Sequence, residues 1–537
     1  MGTLDYLLAE KPAHRWLNHR NLYLLGLAVI ICGLGWSNLL MSVGQFILIG
    51  NWIIEFNFKE KLAWLKENKV FWILISLFIL HLIGLAWTEN LAYGFKDLRI
   101  KLPLIALPVV IVCSRKLENS EWKFILGVYF LSLLSLSIAS ATKLTGLTAE
   151  NIIDKRELSI NISHIRYGLN LAFASTLCYF FRRLYTKKEK IAIIALGFWF
   201  VSCLFLFQLY TGIVCLFAIS LFKLIHFAIF KSNIKLKILS LILISAGFIF
   251  IYKLVIGVKK DYYKKVELTY NQNDLSYQET INGENYWMDK NDLRAENGVY
   301  IRRFIAWEEL EREWGKRSKI KIDSQDLKGQ FMGHTITRYL SSKGLKKDSV
   351  GLSKISDKEV KAIERGVANV YYLNHTPVEN RIHRTFYEIE NYRKTGIANG
   401  FSMAMRLEFW ETAAKIIEKN PIIGVGTGDI KDAFQEQYIK DNSLLEEQYR
   451  RRSHNQYITF FATFGIVGLL VFIFFLFAPL SYLVNYRSAY WCFWTIAVLS
   501  FLAEDTLETQ AGVTFFAFFN SLFLLNQKPK KKQIDSA

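Results

Sequence analysis

Long, uninterrupted apolar runs constrain this chain more than any other feature. Most are about 17–23 residues long, the length a helix needs to cross a roughly 30 Å hydrocarbon core. With 52% hydrophobic and 15% aromatic residues, the chain is too apolar for an ordinary soluble enzyme. Twelve candidate spans follow in order: 22–37, 38–56, 70–87, a short one at 102–113, 123–144, one starting near His164, 191–207, 210–230, 236–258, 456–478, 488–503 and 511–526. Backbone polar groups in lipid must be satisfied within the protein, which leads to helices. The expected fold is an all-α polytopic membrane protein with about 12 transmembrane helices. One large, mainly helical external loop domain lies between spans nine and ten. Residues 1–258 form the first membrane domain and 259–455 the loop, with its motif region at 400–455. Residues 456–537 form the second membrane domain and a basic tail.

A net charge of +19 is compatible with nucleic-acid binding, but its placement excludes that partner. Lys and Arg gather at alternate connections: 59–69, 114–123, 181–190, 231–237 and 528–532. Those are the sides that the insertion machinery and anionic cytoplasmic lipid favour. A cytoplasmic N-terminus puts all five inside, returns both termini to the cytoplasm, and places the long polar segment outside. All six cysteines lie in or at the ends of apolar runs, so that segment has no disulfide framework or thiolate metal site. No His, Asp or Glu grouping has metal-ligand spacing. No short apolar stretch at the N-terminus leads into a cleavage site, so the first helix is expected to stay uncleaved.

The polar segment is rich in Trp and Tyr, which argues for a folded domain over disorder. Residues 304–317 have the Glu/Arg spacing of an exposed helix, and Ser356 with Glu359 makes a capping box. His334, His375 and His383 read as surface residues.

Chemistry is expected between 406 and 468. Arg406 heads a helix whose Phe409, Trp410, Ala413, Ile416 and Ile417 recur on one face. Gly424-Val425-Gly426-Thr427-Gly428 precedes Asp429, a natural N-cap. Such a stretch is either a plain turn or a place where backbone N–H groups approach an anion. His454, followed by Asn455 and Tyr457, stands at the external mouth of the tenth span, where an imidazole can take a proton from a hydroxyl. Two basic groups break the charge asymmetry by lying outside: Lys96, Arg99 and Lys101 before the fourth span, and His164 with Arg166 at the sixth. Positive charge there calls for lipid phosphate or a ligand, and the arginine fork matches phosphate oxygens. A phosphorylated lipid substrate is therefore expected. Glu504, Asp505 and Glu508 in the last external turn read as a solvated hairpin.

The order Arg406-Leu-Glu-Phe-Trp410, Asn420-Pro-Ile-Ile-Gly424-Val-Gly426-Thr-Gly428, Ser453-His454-Asn455-Gln-Tyr457 and Phe464-Gly465-Ile-Val-Gly468 resembles the O-antigen ligase/polymerase superfamily. Ser163-His164-Ile165-Arg166-Tyr167-Gly168 resembles that family's earlier arginine-bearing external segment. The resemblance implies a multi-pass glycosyltransferase of the bacterial inner membrane. It would take glycan from an undecaprenyl-diphosphate carrier on the periplasmic face, with no cofactor, metal or nucleotide sugar. Arg166 and Arg406 would grip the diphosphate, joined by Arg99 or Lys101, and His454 would serve as base or acceptor-positioner. His164, Trp410, Gly424, Gly426, Asn455 and Tyr457 complete the expected substrate-binding set. The expected acceptor is lipid A-core. The same motifs serve a repeat-unit polymerase, whose acceptor is a growing glycan, or a protein O-oligosaccharyltransferase. A glycolipid flippase would share the span count and the outward basic sites. Residues 259–400 exceed the family's minimal pattern and carry no recognised motif.

Overall fold

The computed structural model describes residues 18–145, 155–230, 233–274, 276 and 278–527. Lys11 and Arg15, residues 146–154 of the external connection, residues 231–232 and the basic tail 528–532 lie outside the described residues. All twelve apolar runs form helices. The first eleven helices are α1 (His19–Trp36), α2 (Asn38–Ile54), α3 (Phe58–Glu67), α4 (Lys69–Ile83), α5 (Leu91–Lys101), α6 (Pro103–Val112), α7 (Asn119–Leu144), α8 (His164–Phe181), α9 (Lys187–Leu206), α10 (Tyr210–Phe230) and α11 (Ile234–Tyr263). Short polar residues start several of them. Asn18, Ser37, Asn68 and Asn90 each accept a backbone N–H two or three residues on, satisfying a donor that the first turn leaves unpaired.

The long polar segment folds into α12 (Trp307–Gly315), α13 (Met332–Ser342), α14 (Ser349–Ser353), α15 (Asp357–Glu364), α16 (Tyr371–Asn374), α17 (Pro377–Thr395), α18 (Ser402–Lys419) and α19 (Ile430–Lys440). Three apolar helices close the chain: α20 (Gln456–Phe477), α21 (Arg487–Ala503) and α22 (Gln510–Leu525). A single antiparallel ladder, Ala295–Glu296 with Val299–Tyr300, is the only sheet among the described residues.

By length and apolarity, seven helices qualify as membrane-crossing among the described residues, and eight if α2 and α3, bent by 115°, count as one broken span. This is a multi-pass membrane protein. The remaining apolar runs are α6, α8, α21 and α22. The first of these is 10 residues long and the last 16.

One compact unit comprises residues 1–220, 412–437 and 452–537. Within it α1 packs on α2 and α7, α6 on α4 and α22, and α8 on α9 and α21. Every residue of α22 from Gly512 to Leu525 is buried, which suits a helix that is apolar all round. Its Phe519 meets Phe173 edge-on at 4.7 Å, and Phe523 stacks on Trp122. Lipid tails are as apolar as these rings, so interlocking shape holds the bundle more than exclusion from water does.

The second unit comprises residues 221–411 and 438–451. Of α11, only Ser240, Val258 and Tyr262 are buried. The helices that follow enclose a core of Leu310, Trp314, Met332, Ile336, Tyr339, Leu340, Leu352 and Ile363, so the segment is folded, as its aromatic content predicts. The capping box of Ser356 and Glu359 forms, and a second one joins Thr376 to Glu379. Helix α12 is not exposed all round, since Glu309, Leu310 and Trp314 face inward. The surface reading of the histidines fails at His383, which is fully buried. Its ring stacks 4.2 Å from that of Tyr371, whose plane His375 also stacks on at 3.6 Å. Tyr262 of α11, distant in sequence, also meets the His383 ring edge-on at 5.1 Å and helps draw it inward.

Candidate active site

The segment Pro421–Gly428 is built into a break in α20. Gly465 has φ 63° and ψ −162°, so the helix cannot continue its own hydrogen bonds there. The turn replaces them. The N–H groups of Ile466 and Val467 donate to the carbonyls of Pro421 and Ile422, and those of Val425 and Gly426 donate to the carbonyls of Ala462 and Thr463. A Cβ on Gly424 would lie 2.3 Å from the carbonyl carbon of Thr463, and one on Gly465 would lie 2.2 Å from that of Ile422. Only glycine allows so close an approach at positive φ. Thr427 then donates its N–H to Gly84 and its hydroxyl to the His81 carbonyl, and Gly428 N–H donates to Thr88 Oγ1. Asp429 accepts the N–H groups of Glu89 and Asn90. Every backbone N–H from Gly424 to Gly428 thus has a protein acceptor. Gly424 and Gly426 are placed here as packing and turn residues.

The same arrangement fixes the start of α20, where His454 stands. Asn455 caps the helix by accepting the N–H groups of Tyr457 and Ile458. Its amide donates to the Leu502 carbonyl, and the Tyr457 hydroxyl donates to that of Val498. His454 occupies the left-handed region at φ 48°, a conformation that costs a non-glycine residue about 1–2 kcal/mol. Asp505 offsets that cost from both sides. Its Oδ2 accepts the His454 N–H at 3.1 Å, and its Oδ1 accepts the Thr459 hydroxyl at 2.7 Å. The preceding residue, Glu504, brings Oε2 to 3.2 Å from Nδ1 of His454.

Beneath this turn lies a buried ion network. Lys101 is fully buried and donates to both oxygens of Asp97 at 2.7 Å and to Glu508 at 2.8 Å. Glu508 also accepts from Arg452 at 2.9 Å and from the Gln456 amide at 3.1 Å. Gln456 in turn accepts the Leu507 N–H. Burial opposes charge on Glu508, yet Lys101 and Arg452 together hold its carboxyl well below the usual range. Burial, helped by the neighbouring Glu508 charge, pushes the Asp97 carboxyl up against the pull of Lys101 and Arg452. Burial likewise raises Asp505 against the pull of Arg452. For Lys101, burial disfavours the charge but the two carboxylates outweigh it and raise its pKa. The last turn is therefore no solvated hairpin, since the Glu508 side chain is only 5% exposed. The signal in the sequence was the i, i+4 spacing of Asp97 and Lys101, which pairs opposite charges on one helix face. Nothing local revealed Glu508 as their partner.

Arg166, in the first turn of α8, donates to the Thr509 hydroxyl and crosses over Gly512, where a Cβ would lie 2.3 Å from a guanidinium nitrogen. The Glu504 carboxylate acts electrostatically on it. The structure thus gathers Arg166, His454 and Lys101 around the 504–509 turn, while Asn455 and Tyr457 bond to carbonyls of α21. His164, the first residue of α8, is half-buried, and Arg99 lies on the exposed face of α5. Lys101 is already engaged by two carboxylates. Arg406 and Trp410 belong to the second unit, half-buried on α18. There, Glu408 accepts from Tyr392 at 2.5 Å and from Ser443 at 2.6 Å, and fixes that helix. The apolar face of α18 is buried at Phe409, Ala413 and Ile416. No group of three metal-ligating side chains occurs among the described residues.

Comparison with known proteins bears on this chain in two ways. A protein of Haemophilus influenzae, described only as uncharacterized, is 28% identical over 109 residues, which make up 20% of this chain and 27% of that relative. The match thus takes in about a quarter of the relative's length. The O-antigen ligase family model matches residues 366–473, which hold Arg406, the Gly424–Gly428 turn, His454 and the break at Gly465. Over that stretch the chain carries a domain of the O-antigen ligase family.

Proposed function

We propose that this protein transfers a glycan from undecaprenyl diphosphate to lipid A-core on the periplasmic face of the inner membrane, as an O-antigen ligase. The observation that carries the reading is the clamped turn that presents His454, with Arg166 held on the neighbouring 504–509 turn. The acceptor hydroxyl attacks the anomeric carbon and its proton passes to His454. The carbon–phosphate oxygen bond breaks with inversion, and the electron pair leaves on the diphosphate. Arg166 neutralises that departing charge, and a fixed cation sheltered from bulk water suits the task. In this reading the N-terminus is cytoplasmic and the site faces the periplasm, which the placement of Lys and Arg in the short connections supports.

Reconstitution tests it. The purified chain is given undecaprenyl diphosphate carrying the strain's own glycan, in the presence of chelator, with core-lipid A, repeat-unit glycan or acceptor peptide. Transfer to core-lipid A alone supports the ligase. Elongation of the glycan would make the chain a polymerase, and glycosylated peptide an oligosaccharyltransferase. No transfer to any of the three would overturn the reading.

A further inference from the structure

The clamp around His454 assigns a role to a residue outside the expected set. We propose that Glu504 is the positioning residue of His454, fixing the imidazole with Nδ1 protonated so that Nε2 receives the acceptor's proton. This deepens the proposed transfer reaction and rests on His454 taking that proton.

Two successive residues of one turn divide the work. Asp505 holds the His454 backbone through its N–H, and Thr459 ties the same carboxylate to the first turn of α20. Glu504 reaches the ring, with Oε2 3.2 Å from Nδ1. The backbone clamp restricts where the ring can go, and the carboxylate restricts which nitrogen carries the proton. A carboxylate on Nδ1–H leaves the basic lone pair on Nε2 and stabilises the cation formed when Nε2 is protonated. Both side chains are partly exposed, 35% for His454 and 23% for Glu504, so the pair lies where a substrate can reach it. The turn that carries Glu504 is immobilised from below, because Glu508 is locked between Lys101 and Arg452 and Leu507 N–H is bonded to Gln456. Such support keeps a reacting group within the tight tolerance that proton transfer demands.

The balance of the step is simple. The hydroxyl oxygen forms a bond to the anomeric carbon, its proton goes to Nε2, and the leaving diphosphate takes the electron pair. The imidazolium then returns its proton to solvent. Glu504 stays ionised throughout.

The test uses the purified full chain, undecaprenyl diphosphate bearing the strain's own glycan, and core-lipid A from a ligase-deficient strain. Glu504→Gln should lower kcat roughly tenfold to a hundredfold, a fraction of what general acid–base catalysis contributes, with KM for the carrier unchanged. His454→Ala should lower it further. The double variant should be no slower than His454→Ala alone, because the carboxylate acts through the ring. Glu504→Asp should recover part of the rate, and added acetate should rescue Glu504→Ala, which a purely structural defect would not allow. Wild-type kcat in Glu504→Gln, or a loss confined to KM, overturns the pairing while leaving His454 in its role. Full activity of His454→Ala overturns the reading beneath it instead.

Discussion

Glu508 touches two cations at once, the buried Lys101 and the half-buried Arg452, so its charge supports both. Glu508→Gln should leave Lys101 and Arg452 short of a counter-charge and cost about 3–5 kcal/mol, as breaking a buried ion pair does. Thermal melting of the purified protein in detergent measures this. The pH dependence has two opposing parts. Glu508, held low, contributes stability that is present above the ordinary carboxylate range and is lost as pH falls through that range toward its folded value. Asp97, pushed up, contributes most at pH below its ordinary value of about 3.9 and loses that as pH rises through its folded value. Asp97→Asn should therefore remove the weakening that sets in above the ordinary Asp range and keep the acid-side loss. An unchanged pH profile of melting in Asp97→Asn would contradict this assignment. Arg166 and His454 stood out in the sequence because each is a polar group against an apolar run. Glu504 and Glu508 did not, because acids in a short turn look solvated until partners from residues 97–101 and 452–456 are brought to them.

The break in α20 is the element that organises the motif region. Its apolar run reads as one unbroken span over 456–478, and hydropathy alone cannot register a helix whose hydrogen bonds pass to another segment. The turn at Asn420–Gly428 was legible from its Pro and Gly content, but its destination was not. Gly465→Ala should cost at least about 1–2 kcal/mol from conformation alone, and more from the contact with the Ile422 carbonyl. Gly247→Ala in α11, where an added Cβ meets nothing within 4 Å, should be neutral or gain up to about 1 kcal/mol from helix propensity. Melting temperatures of the two variants, side by side, decide whether the break is obligatory. In the second unit, the capping box of α15 followed directly from Ser356 and Glu359, and Ser356→Ala should cost about 1 kcal/mol. The buried histidine stack escaped notice because Tyr262, Tyr371 and His383 come together only through folding.

At the scale of the molecule, the apolar runs foretold a multi-pass helical protein, and each run is a helix. Length and apolarity alone single out seven or eight of them. The others are short or less apolar helices inside the bundle, and α22 is the clearest case, buried from Gly512 to Leu525. The family domain covers residues 366–473, while most of the second unit's core precedes it. The most direct measurement is the surface-glycan profile of a deletion strain complemented with wild type or with His454→Ala, each checked for equal abundance in the membrane. Wild type should restore the long-chain lipopolysaccharide bands. His454→Ala should leave bare core, with polymer accumulating on undecaprenyl diphosphate. Full restoration by His454→Ala, or an unchanged profile in the deletion strain, would contradict the account.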